Sequence, residues 1–221
     1  LRQGLSIVLT AVVLDCFLKE KNMTGIVTAI VAFYIHDSSI VISLMYFVIL
    51  VLFSKIIVSK KFNIPVVTVS ILIFSVLIIP YILGKFPSLI TLFASKYYYI
   101  VNAINWSSFS LYRSMLFLIP ILPFYGSVKR SDSLIIRGTY LLCLINVVFN
   151  GFASANYVLF GRLSYYFYVP FILFISENIY LIKRPLKRYL YYIIYMSYSV
   201  FFFINMYALG NYGNLFPYKI G

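Results

Sequence analysis

Few residues of this 221-residue chain could do acid–base or anion chemistry. Its one histidine, His36, stands in the stretch FYIHDSSIV at 33–41, beside Asp37 and two residues before Ser38. Imidazole exchanges a proton near neutral pH, so a lone histidine between two apolar runs is a candidate general base. The ordinary alternative is an interfacial histidine hydrogen-bonded to Asp37. Arg2, Arg113 and Arg162 are the next group, because a guanidinium presents forked donors that match phosphate oxygens. The null for these is a long side chain snorkelling to lipid headgroups, and it is weakest for Arg113, which lies about five residues inside WSSFSLYRS and would need a partner at that depth. The acids are Asp15, Glu20, Asp37, Asp132 and Glu177. Only Asp37 falls near His36 in the arrangement below, so neither a two-carboxylate glycosidase site nor a hard-cation site is expected. Cys16 and Cys143 lie inside apolar runs and suggest neither a disulfide nor a metal clip.

The elements that must hold these residues are apolar. The chain is 63% hydrophobic and 10% charged, more than one soluble core of this length hides, so the expectation is an all-α, polytopic membrane helical bundle forming a single domain over 1–221. Spans of roughly 20 residues are expected at 3–18, 39–54, 64–84, 108–127, 133–152, 163–182 and 188–208. A short partial-span helix is expected at 24–36, giving seven to eight membrane segments. HDSS should end it and cap the next helix through Asp37 or Ser38. Between 84 and 107 the spacing of Phe86, Leu89, Ile90, Phe93, Tyr97, Ile100, Val101 and Ile104 predicts an interfacial outer helix at about 86–104. The chain starts at Leu1 with an apolar run already under way, and it is expected to be the C-terminal part of a longer protein.

The 18 Lys and Arg against 5 Asp and Glu would suggest nucleic acid in a soluble chain. In a bundle they set orientation. Strict alternation of the segments puts Lys19, Lys21, Lys55, Lys60, Lys61, Lys129, Arg130, Arg137, Lys183, Arg184, Lys187 and Arg188 on one side, which the positive-inside bias makes cytoplasmic. His36, Arg2, Arg113 and Arg162 then share the outer side. Each would stand near the N-terminus of an inward-running helix, where an anion is favoured.

Four stretches, LRQGLS at 1–6, FYIHDSS at 33–39, GRLSYYF at 161–167 and FPYK at 216–219, occur in an order and spacing that resemble the EpsG/Wzy-type family of bacterial polysaccharide polymerases. The resemblance implies an enzyme of the bacterial inner membrane that joins undecaprenyl-pyrophosphate-linked oligosaccharide repeats at the outer leaflet. His36 and Arg162 would be catalytic, and Arg2, Gln3, Ser38, Arg113, Tyr165, Tyr166 and Tyr218 would bind pyrophosphate or sugar. Asp37 is less typical of the family pattern and is given no role beyond capping. No metal, cofactor or nucleic acid is implied. The partners are the lipid-linked oligosaccharide and membrane lipids, with a flippase and a chain-length regulator as compatible companions. Two rival readings remain, a lipid-linked oligosaccharide flippase and a membrane acyltransferase of polysaccharides.

Overall fold

The computed structural model describes residues 2–59, 63–73, 110–153 and 160–204. These divide into two compact units, Leu1–Ile175 and Ser176–Gly221. The described elements are helical, with no strand among them. The interfacial helix expected at 86–104, the FPYK stretch with Tyr218, and parts of the segments expected at 64–84, 108–127 and 188–208 lie outside the described residues.

The first unit opens with a hairpin: α1 at Arg2–Leu18, a turn at 19–21, and α2 at Asn22–Ile35. The turn is tight, with Glu20 at φ 60°. At 1.5 Å rise per residue α2 is about two-thirds of a membrane span, as the short helix at 24–36 required, although it begins two residues earlier. Its 14 residues return the chain to the level of Ser6 on α1. Hairpin closeness depends on Gly25, since a Cβ there would collide with the Phe17 ring. Helix α3 follows at Ser38–Phe47 and runs through a π-helical turn at Val48–Leu52 into α4 at Ser54–Val58. Asp37 occupies the N-cap position of α3 but makes no side-chain capping bond, so the capping expectation is met in position and not in chemistry.

Helix α5 is Ile64–Ile73. Next come α6 at Leu111–Leu118, a 3-10 turn at Leu122–Phe124 and α7 at Tyr125–Arg130. The segment expected as one span at 108–127 is therefore broken, with a 43° bend between Leu111–Leu118 and Leu122–Arg130. Pro120 and Pro123 account for the break, because proline removes a donor and clashes with the preceding turn. Helix α8, Leu134–Phe152, is long and apolar enough to cross a membrane by itself. After it come a short helical turn α9 at Arg162–Ser164, a 3-10 turn at Tyr165–Phe167 and α10 at Tyr168–Tyr180. Among the described residues, α8 and at most the bent pair meet the length-and-apolarity test for a span, while Asn22–Ile35 and Ser38–Leu52 are shorter apolar helices.

The core of the first unit gathers Val13, Leu14 and Phe17 of α1, Ala29 of α2, Ile42 and Tyr46 of α3, Leu142 of α8, and Tyr166 and Phe167. Tyr46 meets Phe167 edge-on at 5.9 Å. Leu50, in the π turn, packs where a Cβ on Gly138 would meet its Cδ2 at 2.5 Å. Meanwhile α2 and α3 expose Met23, Val27, Ile30, Val31, Val41 and Leu44.

At the end of this unit that holds the 19–21 turn and the α8 N-terminus, Arg137 is 4% exposed. Its Nη1 donates to the carbonyls of Ile57, Val58 and Ser59 at 2.8, 3.1 and 2.9 Å. Nε reaches Val128 O at 3.4 Å and Nη2 reaches Lys129 O at 3.5 Å. One guanidinium thus satisfies carbonyls left over at the ends of α4 and α7, where a cation also complements the helix dipoles. The sequence groups Arg137 with a cation cluster and does not reveal that its side chain is a buried clamp. Asp132, mostly exposed, adds a contact at 3.5 Å.

In the second unit α11 covers Pro185–Phe203, with proline in its first turn. In its first turn, Arg188 donates through Nε and Nη2 back to Ile182 O at 3.0 and 2.7 Å and lies over the Tyr180 ring.

Candidate functional site

The hairpin arithmetic delivers His36 to the N-terminal end of α1, and three segments far apart in sequence meet there. Tyr166 is the hub. Its side chain is fully buried, and its hydroxyl lies 3.1 Å from Ser6 Oγ on α1 and 3.0 Å from Ser38 Oγ on α3. Ser38 Oγ is 3.4 Å from His36 Nδ1. The Tyr46 hydroxyl donates to Tyr166 O at 2.7 Å, fixing the backbone that carries the hub. Gln3 Nε2 donates to Arg162 O at 3.4 Å. Arg2 and Arg162, both exposed, therefore belong to neighbouring stretches of backbone at this end of the unit.

Local sequence explains this convergence. The 3-10 turn at Tyr165–Phe167 winds more tightly than the α-helix and sends the Tyr166 and Phe167 side chains inward, where both are buried. Tyr165 stays partly exposed and meets Tyr168 edge-on at 5.6 Å. Ser164 ties the preceding turn by donating to Gly161 O at 2.7 Å. His36 is the C-cap residue of α2, extended at φ −156° and ψ 116°, and its N–H still bonds Ala32 O. That extended residue swings the chain out of α2 and leaves the imidazole partly exposed.

At the α3 N-terminus, where an anion is expected, two backbone donors have partners within the turn. Ser39 N–H bonds His36 O at 3.0 Å and Ile40 N–H bonds Asp37 O at 3.4 Å, so these donors are already engaged in the turn. Arg113 is not among the residues these contacts bring together. It is 9% exposed on α6, its N–H bonds the N-cap Ser110 Oγ at 3.3 Å, and Ser114 beside it donates to Val147 O of α8 at 3.2 Å. The structure thus joins His36, Ser38 and Tyr166 through hydrogen bonds and adds Ser6 and Tyr46, while Gln3 is tied separately to the backbone carbonyl of Arg162. The sequence carried a signal for Ser6, within LRQGLS, but none that separates Tyr46 from the other tyrosines of an aromatic-rich chain.

The arrangement combines one histidine, hydroxyls that orient it from behind, and two exposed arginines, at one end of an apolar all-helical bundle. The fold and site define an all-helical, apolar bundle with a cluster of polar side chains at one end. The EpsG family model matches residues 1–220, and the chain belongs to that family of Wzy-type polymerases. Family membership gives it a polysaccharide-polymerase type of function on a lipid-linked polysaccharide substrate. No curated protein and no solved structure matches the chain.

Proposed function

We propose that this chain is the polymerase that joins undecaprenyl-pyrophosphate-linked oligosaccharide repeats at the outer leaflet of the bacterial inner membrane, within a bundle of seven to eight membrane segments. The observation that carries the proposal is the chain of contacts from Ser6 through Tyr166 and Ser38 to His36. It gathers, at one bundle end, three of the stretches on which the family resemblance rests.

The chemistry follows from that order of contacts. With His36 Nδ1–H donating to Ser38 Oγ, Ser38 donates to Tyr166 and Tyr166 to Ser6. Nε2 is then left with its lone pair. The long 3.4 Å contact shortens when the imidazole gains charge, as catalytic hydrogen bonds do on substrate binding. Nε2 takes the proton of an acceptor sugar hydroxyl, whose oxygen forms the new bond to the anomeric carbon of the donor glycan. The anomeric C–O bond to pyrophosphate breaks, and lipid pyrophosphate leaves with the electron pair. Arg162 and Arg2 meet the charge that develops there, and Arg113 keeps the pyrophosphate-binding role that the family resemblance implies. Gln3 and the partly exposed Tyr165 and Ser38 contact sugar or phosphate. Tyr166, being buried, acts through Ser38, and Tyr218 keeps the pyrophosphate- or sugar-binding role that the family resemblance implies.

Deletion in the native host, followed by sizing of the surface polysaccharide on a gel, tests the proposal. A displayed single repeat without the long-chain ladder is the expected result. Loss of all displayed repeats would make the protein a flippase instead.

A further inference from the structure

The turn between α10 and α11 gathers Lys183, Arg184, Lys187 and Arg188 within one short stretch, and no acid follows Glu177 in the chain. Like charges at that spacing repel one another. Arg188 is spent on the turn itself, where its guanidinium closes on Ile182 O and lies 5.7 Å from the centre of the Tyr180 ring. Lys183, Arg184 and Lys187 stay exposed. Lys187 Nζ stands 5.9 Å from the centre of the Tyr191 ring, which holds its ammonium beside α11. Apolar side chains stand in the open among these cations: Leu186, between Arg184 and Lys187, is 83% exposed, and Tyr180, Leu181 and Tyr189 are exposed as well.

We propose that this turn is a docking surface for anionic phospholipids, with Lys183, Arg184 and Lys187 on the headgroup phosphates and Leu186 in the acyl boundary beneath them. The assignment does not depend on the polymerase reading. Charge complementarity selects an anionic partner, since the stretch carries cations and no carboxylate to offset them. The exposed leucine selects the kind of anion. A nucleic acid or an acidic protein surface would satisfy the cations and leave Leu186 in water, whereas at the bilayer interface the leucine is buried while the long cationic side chains reach up to the phosphates. Arg184 offers forked donors that match phosphodiester oxygens, and the two ammonium groups act as point charges. Phosphatidylcholine carries a choline that offsets its phosphate, so the surface discriminates in favour of lipids with net negative charge.

The test uses the full chain in phosphatidylcholine nanodiscs that contain a phosphatidylglycerol with a diazirine in its headgroup as photoprobe, followed by peptide mapping of the label. Label is expected on 181–192, competed by unlabelled dioleoyl phosphatidylglycerol and not by dioleoyl phosphatidylcholine. Lys183→Gln, Arg184→Gln and Lys187→Gln combined should lower label on that stretch roughly tenfold or more, and because all three side chains are exposed the elution profile should stay unchanged. Leu186→Asn leaves every charge in place and should lower the label several-fold. Equal competition by phosphatidylcholine, label that survives the triple substitution, or label that misses 181–192 overturns the docking surface. Wild-type labelling of the Leu186→Asn protein overturns the placement in the bilayer and makes the turn a site for any polyanion.

Discussion

Tyr166 shows how a buried hydroxyl can act at a distance from the substrate. It touches Ser6, Ser38 and, through Ser38, the imidazole of His36. Tyr166→Phe keeps the ring in the core and removes only the hydroxyl bridge. A net hydrogen bond is worth about 1 kcal/mol, so polymer synthesis should fall roughly five- to tenfold at near-normal protein level, and a wild-type rate would remove the hub from the site. Arg162 differs because its side chain is exposed and its expected task is bidentate. Arg162→Lys keeps the charge and loses the fork, with an expected loss on the order of 10²-fold for a transition-state contact; normal chain length from the lysine variant would make Arg162 a snorkelling anchor. At this scale the sequence was informative where a residue type is rare. One histidine and few arginines leave little choice, and His36, Ser38, Arg162 and Tyr166 do converge. Ser6 and Tyr46 were hard to single out because hydroxyls on apolar helices are common here, and only the fold tells which of 22 tyrosines faces another hydroxyl.

Among the elements, the hairpin of α1 and α2 sets the height of His36, and its closeness depends on the Gly25–Phe17 contact. Gly25→Val should force the helices apart at a cost of about 1–3 kcal/mol, seen as a lower protein level and weakened polymer synthesis together. At the opposite end Arg137 holds five carbonyls of α4, Ser59 and α7. Arg137→Met fills a similar volume but leaves those carbonyls unsatisfied, and the expected result is a loss of roughly 2–4 kcal/mol, read as a lower midpoint of thermal unfolding in detergent. An unchanged midpoint would mean that water replaces the clamp. The lengths of α1, α2 and α8 were legible in sequence because apolar runs, HDSS and the KEK turn bound them. The 43° break between Leu111–Leu118 and Leu122–Arg130 and the π turn at Val48–Leu52 were not. A hydropathy run has no term for a proline that bends a span without ending it, and the π turn forms where Leu50 meets Gly138 from a distant helix.

For the whole molecule, helix direction puts Arg2, His36 and Arg162 at one end of the first unit and Lys19, Lys21, Lys55 and Arg137 at the other. The charge split in the sequence predicts that the second end is cytoplasmic. Single cysteines at Asn22 and Ser131, in a chain whose Cys16 and Cys143 are replaced, should be shielded from an impermeant thiol reagent in intact cells, and one at Asp37 should react; the reverse pattern would turn the site to the cytoplasm. The central claim is that His36 is the proton acceptor for glycosyl transfer, and it is tested most directly by His36→Gln in a host lacking the native protein, with Asp37→Asn alongside and the polysaccharide sized on a gel. Glutamine keeps the hydrogen bonding and cannot act as a base near neutral pH. The account predicts full-level His36→Gln protein with chain extension reduced by about 10²–10⁴-fold and a normal ladder from Asp37→Asn, and a normal ladder from His36→Gln would contradict it.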